Sequence, residues 1–290
     1  FMNKIGAQNM FSELKSVLIN VPLKDMSNVD CKKWHYQEPL NQNKIEKNFF
    51  SFSNLLKSFG SEIYYLDQQD KYYDSVFPHD PSLVTKHGAI ILNMGKKLRK
   101  HEPRLHKKFY ESINIPILGE INSPGTVEGG DCLWIDEKTL VVGKGFRTNH
   151  SGINQLKGIL NKYGIKVIGF DLPYFHGPDA CLHLMSLISI LDYNLAIVYK
   201  PFFPVELLKF LESKGFDCID IPKKDFLDSN GLAINILALS SRNIIMLEGF
   251  SKTETILKKM GCDIQTFDGN ELCVKAEGGP TCLTRPIYRK

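Results

Sequence analysis

The chain has 290 residues, of which 43% are hydrophobic and 23% charged, and its 36 basic and 32 acidic residues give a formal net charge of +4. These values are typical of a globular protein and exclude a disordered, fibrous or membrane-embedded chain. The lysines are scattered along the chain, and no run of about 18 apolar residues occurs, so neither nucleic acid nor a membrane is expected as a partner.

The cysteines indicate the compartment. Their number is odd, and none lies in a CxxC motif or in a cluster with histidines at zinc-binding spacing. We therefore expect free thiols, a cytoplasmic protein, and neither a metal nor another cofactor. The seven cysteines are at positions 31, 132, 181, 218, 262, 273 and 282.

Predicted strands and helices alternate along the chain. Residues 21–44 have no clear periodicity and are expected to form either an ordered lid or a surface loop. Beyond them, paired apolar stretches around a short polar turn predict β-hairpins. Apolar residues at helical spacing, ending at a glycine, predict helices. The hairpins are expected over residues 81–92, 132–143, 187–199 and 234–247, and the helices over residues 152–164, 204–215 and 251–261.

A polar or reactive residue recurs at the start of each predicted hairpin and once more near the end of the chain, at intervals of 51, 52, 52 and 47. This period predicts five units, none of which can bury its apolar face alone. Five units that close into a ring would bring equivalent ends together at one centre, and an open α/β sheet with crossover helices is the alternative. Length alone favours two domains of about 150 residues, whereas the period favours one. The recurring residues are Asp80, Asp131, His183, Asn235 and Cys282.

Two glycine-rich segments, GTVEGGDCLW (125–134) and AEGGPTCLTRP (276–286), are the strongest indication of a site. The chain lacks the GxGxxG, GxxxxGK[ST], HExxH and GxSxG motifs. Glycine lets a ligand approach the backbone closely. Cys282, just after the second glycine pair, is either an inert thiol or a nucleophile. His183, in ACLHLMSL, is either a core histidine or the partner of that cysteine.

The segment YYDSVFPHDPSL (72–83) places Asp74 and Asp80 on either side of Phe77. As single residues, the aspartates are typical of turns and strand ends. As a pair, they would bind a planar cation, because a carboxylate accepts the forked N–H groups of a guanidinium. Arg147 in GFRTN and Arg99 in KKLRK are either ordinary surface arginines or a site for a substrate carboxylate.

The motifs DSVFxxDP, GTVEGGD, RTN, LHL and GG-x-x-C occur in this order between about residues 12 and 285. In order and spacing the chain resembles the guanidino-group-modifying enzymes, most closely the dimethylarginine dimethylaminohydrolases. The resemblance implies a five-bladed α/β propeller (pentein) of ββαβ-type repeats around a central active site. The expected single catalytic domain covers residues 2–290, with Phe1 set aside.

The resemblance also implies roles for individual residues. Cys282 matches the family nucleophile, His183 the general acid/base, and Glu128 the carboxylate that pairs with this histidine. A small guanidino substrate would be held by the remaining matched residues. These substrate-binding residues are Asp74, Asp80, Phe77, Arg147 and Arg99.

The implied activity is hydrolysis of a substituted guanidino amino acid to citrulline and an amine through a covalent thiouronium on Cys282. An amidinotransferase, which passes the amidino group to an amine acceptor, is the alternative enzyme, and a non-catalytic binding propeller is the alternative from another class. Two positions depart from the family pattern: His79 before Asp80 predicts a less negative edge of the pocket, and Met185 two residues after His183 argues against free arginine as the substrate. The oligomeric state is open, with a homodimer as one alternative.

Overall fold

The fold is a ring of five small sheets, described in a computed structural model over residues 4–66, 72–178 and 182–290. Each sheet has three strands, and the second strand of a hairpin lies in the middle in the four sheets that begin with a hairpin. The third strand follows a helix and pairs in parallel with the middle strand. This ββαβ unit confirms the predicted pentein propeller, and the alternative of one open sheet is wrong.

The fifth sheet closes the ring by joining the two ends of the chain. The C-terminal strand pairs antiparallel with the first strand, which pairs in parallel with the second. The sheet orders are β3-β4-β5, β6-β7-β8, β9-β10-β11, β12-β13-β14 and β15-β1-β2. The strands are β1 (Leu14–Ile19), β2 (Glu62–Tyr65), β3 (Ser82–Thr85), β4 (Gly88–Ile91), β5 (Ile117–Glu120), β6 (Cys132–Asp136), β7 (Thr139–Lys144), β8 (Lys166–Asp171), β9 (Ile188–Asp192), β10 (Leu195–Val198), β11 (Asp217–Asp220), β12 (Leu237–Ser240), β13 (Asn243–Leu247), β14 (Asp263–Phe267) and β15 (Arg285–Arg289).

The helices lie on the outside of the sheets and bury one face each. Four of them end at or just before a glycine with positive φ, namely Gly60, Gly164, Gly215 and Gly261, which confirms the three helix ends predicted from sequence. The helices are α1 (Cys31–Trp34), α2 (Gln42–Phe59), α3 (Glu102–Ser112), α4 (His150–Leu160), α5 (Val205–Ser213), α6 (Lys223–Asp228) and α7 (Ser251–Lys259). No helix in the described ranges is long and apolar enough to span a bilayer.

Burial follows position in the blade. All residues of β3, β4 and β10 are buried, whereas β2, β5 and β11 are partly exposed because they form the outer edges. The apolar cores fill the spaces between neighbouring blades. For example, Leu133 and Val141 of one blade share a core cluster with Ile188 and Ile197 of the next. The five recurring residues each lie shortly before the first strand of a blade, so the ring brings these five positions towards its axis.

Residues 21–44 are ordered and contribute to the wall of the central pocket. They contain a short 3₁₀ turn at Met26–Asn28 and helix α1. The Trp34 side chain is buried and meets Tyr73 edge to face, with ring centroids 5.3 Å apart. Trp34 and His35 line the pocket, as a lid would. Cys181 lies outside the described residues, and the other six cysteines are free thiols.

Candidate active site

The central pocket opens at the end of the ring where the blades begin. Four of the five recurring residues line it: Asp80, His183, Asn235 and Cys282. The fifth, Asp131, is fully buried and accepts the backbone N–H of Leu184 at 2.9 Å. The periodicity therefore identified the positions at which blades contribute to the site, although one of them supports its neighbour instead of lining the pocket.

Cys282 is half-buried at the end of the glycine-rich turn before β15. Its Sγ lies 3.1 Å from Nδ2 of Asn235, which lies just before β12 at the start of the neighbouring blade. The glycines allow this packing, because a Cβ at Gly279 would lie 2.5 Å from Cγ of Asn235, and a Cβ at Gly278 would lie 2.4 Å from the Phe77 ring. Protein side chains make the close approach at this glycine pair, whereas the prediction concerned a ligand.

His183 and Glu128 form a buried hydrogen-bonded pair. The distance from Nε2 of His183 to Oε2 of Glu128 is 2.7 Å, and Glu128 is fully buried. The backbone N–H of His183 donates to Oγ of Ser186 at 3.1 Å. Because an ionised carboxylate only accepts hydrogen bonds, Nε2 carries a proton and donates a hydrogen bond to Glu128. The carboxylate therefore fixes both the orientation and the tautomer of the imidazole.

Glu128 is held as a carboxylate by its surroundings. Its Oε2 also accepts from Arg147 at 3.3 Å, and its Oε1 accepts the backbone N–H of Lys96 at 2.9 Å. Burial alone would raise the pKa of Glu128, but the charge of Arg147 and the hydrogen bond with His183 lower it from 4.5 to about 2. The glutamate is charged at any physiological pH.

This depressed pKa predicts acid sensitivity. A carboxylate whose pKa is lower in the folded state contributes stability that is present above its unfolded pKa and is lost as the pH falls through the folded value. For Glu128 the window runs from pH 4.5 to about 2, and the loss is on the order of 3 kcal/mol. Urea unfolding measured across this window should show a falling free energy of unfolding. The dependence should be shallower in Glu128→Gln, and an equally steep dependence in that variant would contradict the assignment.

Asp80 lies on the other side of His183. Its Oδ1 accepts the backbone N–H of Gly130 at 2.9 Å and is 4.0 Å from Nδ1 of His183. Its Oδ2 pairs with Arg99 at 2.5 Å. Burial would raise the pKa of Asp80, but the charges of His183 and Arg99 hold it well below 3.8. The imidazole is thus placed between two carboxylates, an arrangement that favours its protonated form when a proton is transferred to it.

Arg99 is engaged by protein groups. It is 4% exposed, and its guanidinium donates to both oxygens of Glu102, to Asp80 and to the carbonyl oxygen of Phe77. These contacts use its donors within the protein, which argues against the predicted contact with a substrate carboxylate. The contacts are those of a residue that positions Asp80. Arg147 lines the pocket and pairs with Glu128.

Asp74 lines the pocket and is paired with a lysine that the sequence analysis missed. Lys96 Nζ lies 2.6 Å from Oδ2 of Asp74 and donates to the carbonyl oxygen of Trp34 at 2.8 Å. Phe77, predicted to lie between the two aspartates, also lines the pocket. The structure therefore places three of the predicted substrate-binding residues, Asp74, Asp80 and Phe77, in the lining of one pocket.

Glu277 is the second pocket residue that sequence reasoning missed. It has a positive φ of 63°, and its Oε1 accepts from Nδ2 of Asn230 at 3.1 Å. Burial raises its pKa above 4.5. Its position directly before the glycine pair in AEGGPTC was available as a signal, since a carboxylate next to the nucleophile's turn faces the same pocket.

The two departures from the family pattern lie away from the pocket lining. Met185 packs in the core cluster with Leu133 and Ile188. His79 is buried, its Nδ1 donates to the carbonyl oxygen of Thr284 at 2.8 Å, and burial together with Arg285 lowers its pKa to about 3. His79 is therefore neutral. The predicted effect of both residues on substrate choice has no direct contact to support it.

One group of described residues has the donor atoms for a metal ion. Oxygen and nitrogen atoms of Asp80, Glu128 and His183 lie within 4.8 Å of one another. However, Arg99 and Arg147 pair with the two carboxylates, and these positive charges disfavour a second cation.

A five-bladed propeller with cysteine, histidine and carboxylates around its axis defines the class of guanidino-group-modifying enzymes. The family model for "N,N dimethylarginine dimethylhydrolase, eukaryotic" matches residues 16–289, and the chain belongs to this family. It is an enzyme, a hydrolase acting on C–N bonds of amidines.

This chain is similar to three proteins in sequence or in fold. The N(G),N(G)-dimethylarginine dimethylaminohydrolase of Pseudomonas aeruginosa is 26% identical over 234 residues, which cover 81% of this chain and 85% of the relative. A structure of a mutant of the Pseudomonas aeruginosa enzyme complexed with citrulline has a TM-score of 0.78 at 22% identity, covering 94% of this chain and 99% of that one. SxtG, an amidinotransferase from Microseira wollei, has a TM-score of 0.82 at 16% identity, covering 99% and 98%. At these identities the two structures show the fold alone.

Proposed function

We propose that this protein hydrolyses a substituted guanidino amino acid of the dimethylarginine type to citrulline and an amine. The observation that carries the proposal is the convergence of Cys282, the His183–Glu128 pair and the carboxylate of Asp80 in one pocket. Family membership and the Pseudomonas aeruginosa relative, named for dimethylarginine, support the substrate class.

The substrate guanidinium would bind against the acidic wall of the pocket. Asp80, held by Arg99, presents its Oδ1 towards His183. Asp74 and Glu277 add two further carboxylates, and Phe77 gives a flat apolar surface for the planar cation. Arg147 and Lys96 also line the pocket, each paired with a carboxylate, and would supply positive charge for the amino-acid carboxylate. The pocket thus offers carboxylates for the guanidinium and cationic groups for the substrate carboxylate.

The first half-reaction forms a covalent bond to Cys282. The thiolate adds to the guanidinium carbon, which otherwise is a poor electrophile because its charge is spread over three nitrogens. A C–S bond forms, and the C–N bond to the departing amine breaks as the His183 imidazolium, which has taken up the proton lost by the Cys282 thiol, gives that nitrogen a proton. We assign the transfer to Nδ1, which lies 4.0 Å from Asp80 Oδ1, because Nε2 is bonded to Glu128. The product is a thiouronium on Cys282 and a free amine.

The second half-reaction releases citrulline. The now neutral His183 takes a proton from water, whose oxygen adds to the thiouronium carbon. The C–S bond then breaks, the electron pair returns to sulfur, and the remaining hydroxyl proton is lost to solvent as the carbonyl of citrulline forms. The same histidine acts as acid and then as base, as expected for one group that serves both steps. Citrulline leaves, and the proton bound in the second step is available for the next cycle.

An assay of citrulline release tests the proposed function. Purified protein is incubated with arginine, monomethylarginine and dimethylarginine without any amine acceptor, and citrulline and amine are quantified. We expect equal amounts of citrulline and dimethylamine from dimethylarginine, and a lower kcat/KM for arginine. Citrulline formed without an acceptor would exclude an obligatory amidinotransferase. Absence of product from every guanidine would contradict the hydrolase.

Three further expectations remain part of this proposal. We propose that residues 2–290 act as a single catalytic domain, supported by the sheet that joins β15 to β1. The six free thiols of the described residues support an enzyme of the cytoplasm. The partner is a small guanidino molecule, bound by the acidic wall of the pocket.

A further inference from the structure

Asn235 contacts the sulfur of Cys282 and has no role in the mechanism above. It opens its blade just before β12 and is 5% exposed. Its Nδ2 lies 3.1 Å from Cys282 Sγ, which is within hydrogen-bonding distance. This contact joins two blades whose residues are 47 positions apart in sequence.

The orientation of the Asn235 amide is fixed by a second hydrogen bond. Its Oδ1 accepts the backbone N–H of Thr281 at 2.9 Å. A backbone N–H only donates, so the atom facing it is the oxygen and the atom facing sulfur is the nitrogen. The Thr281 hydroxyl is anchored to the carbonyl oxygen of Ile236, again at 2.9 Å. The amide therefore points an N–H group at Sγ.

The turn before Cys282 packs closely against the Asn235 side chain. A Cβ at Gly279 would lie 2.5 to 2.7 Å from three atoms of Asn235, so the turn before the nucleophile contacts the amide directly. The contact requires glycine at position 279. The glycine pair of GGPTC is thus explained in part by Asn235.

We propose that Asn235 is a catalytic residue whose Nδ2–H donates a hydrogen bond to the thiolate of Cys282 and stabilises it before attack and after release. A neutral thiol gains little from an N–H donor, whereas a thiolate gains a charge-assisted hydrogen bond. The donor therefore favours the reactive form. This inference rests on the proposed role of Cys282 as nucleophile.

Other groups also act on the thiol and have to be held constant in any test. They act in the wild-type protein and in a single variant at position 235 alike, so a comparison of the two isolates the amide. The titratable and charged groups that line the same pocket or act on Cys282 from behind it are His183, Asp80, Asp74, Glu277, His35, Lys96, Arg99, Arg147 and Cys273.

The test measures thiolate formation without substrate. The folded protein is alkylated with iodoacetamide at a series of pH values. After digestion, the modification of Cys282 is quantified by mass spectrometry on the peptide that contains it. Asn235→Ala should move the midpoint upward by about one pH unit, a tenfold loss of thiolate below the midpoint. Asn235→Asp should move it further, because a carboxylate beside sulfur disfavours the anion. Asn235→Asp keeps the acceptor for Thr281 and is the variant expected to fold best.

Asn230 provides the matched control. It lines the same pocket, but its Nδ2 donates to Glu277 at 3.1 Å. Asn230→Ala should leave the alkylation midpoint of Cys282 unchanged, and Asn230→Asp should move it much less than Asn235→Asp. With dimethylarginine, the activity of Asn235→Ala should recover towards the wild-type value as the pH rises.

Two results would overturn the inference. One is an unchanged midpoint in both Asn235 variants when thermal unfolding shows that they are folded, which would leave Asn235 a structural support for Thr281. The other is an equal shift in the Asn230 and Asn235 variants. Because alkylation requires no substrate, neither result depends on whether dimethylarginine is hydrolysed, and a failed citrulline assay would leave this test intact.

Discussion

Cys282→Ser should reduce citrulline formation by about 10⁴-fold or more, as loss of a nucleophile does in other covalent enzymes. A serine hydroxyl remains protonated in this pocket and is a far weaker nucleophile than a thiolate. The substitution replaces one half-buried atom and leaves the acidic wall unchanged. Binding of citrulline, measured by calorimetry, should therefore persist, and the melting temperature should stay close to that of the wild-type protein.

Cys31→Ser is the matched control for this prediction. Cys31 is the other half-buried free thiol among the described residues, and it lies in α1, next to the segment that covers the pocket. Its Sγ contacts the backbone carbonyl of Val29 at 3.8 Å, and the side chain packs against an apolar core cluster. We expect wild-type activity from Cys31→Ser. Equal losses in both variants, or a wild-type rate in Cys282→Ser, would remove Cys282 from the mechanism.

Most of the fold could be predicted because the structural repeat produces a period in the sequence. Each blade needs a buried hairpin and a helix of similar length, so apolar runs and turn residues recur with a constant period. The residues Asp80, Asp131, His183, Asn235 and Cys282 marked the start of each blade. The way in which the ring closes was not predicted, because β1, β2 and β15 come from opposite ends of the chain and pair only after folding.

The candidate site was predictable where a residue belongs to a short motif. Asp74, Asp80 and Phe77 lie in one segment, and the structure brings them to one wall. The resemblance to a family supplied the connection between Glu128 and His183, which are 55 residues apart and 2.7 Å from each other. The assignment of their catalytic roles stays a prediction until the variants are measured.

Residues that depend on long-range contacts could not be predicted. Nothing in KKLRK shows that Arg99 is buried and engaged by Glu102, since burial is a property of packing. In the same way, nothing local shows that Lys96 reaches Asp74. A contact between two side chains distant in sequence leaves no periodic signal in a single chain.

The same limit explains why Met185 was predicted to act at the guanidinium subsite although it packs in the core. Two positions after His183 in sequence, it was expected to affect the guanidinium subsite. In the 3₁₀ turn Leu184–Ser186, however, successive side chains point in different directions, and Met185 faces the core. Proximity in sequence to a catalytic residue therefore does not place a side chain in the pocket.

Glu128→Gln should lower kcat by about 10²- to 10⁴-fold while changing the shape of the side chain very little. The wild-type carboxylate accepts from His183 Nε2, from Arg147 and from the Lys96 backbone. An amide can turn its nitrogen towards Nε2, where its N–H groups favour the imidazole tautomer protonated at Nδ1. It can also turn its oxygen to Nε2, but then it lacks the charge that stabilises the imidazolium.

A control at a second carboxylate separates the effect of Glu128 on catalysis from its effect on the stability of the protein. Asp192 is 3% exposed and pairs with Arg242 at 2.6 Å, outside the pocket. Its pKa is also lowered, against burial, by hydrogen bonds from Ser241 and Arg242. Removing one partner of a buried ion pair such as Glu128–Arg147 costs about 3 to 5 kcal/mol, and a smaller cost is expected at Asp192, because the Arg242 side chain is 36% exposed. Both Glu128→Gln and Asp192→Asn should therefore lower the free energy of unfolding, measured in urea, whereas only Glu128→Gln should lower kcat.

The pH profile of kcat gives the second measurement. A charged Glu128 favours the protonated form of His183, so in Glu128→Gln the limb of the profile that reports the histidine should move to lower pH. Glu128→Asp restores the charge and should recover part of the rate. If Asp192→Asn lost as much activity as Glu128→Gln, the loss would reflect general destabilisation. If instead the profile of Glu128→Gln kept its position, Glu128 would have no electrostatic influence on the histidine.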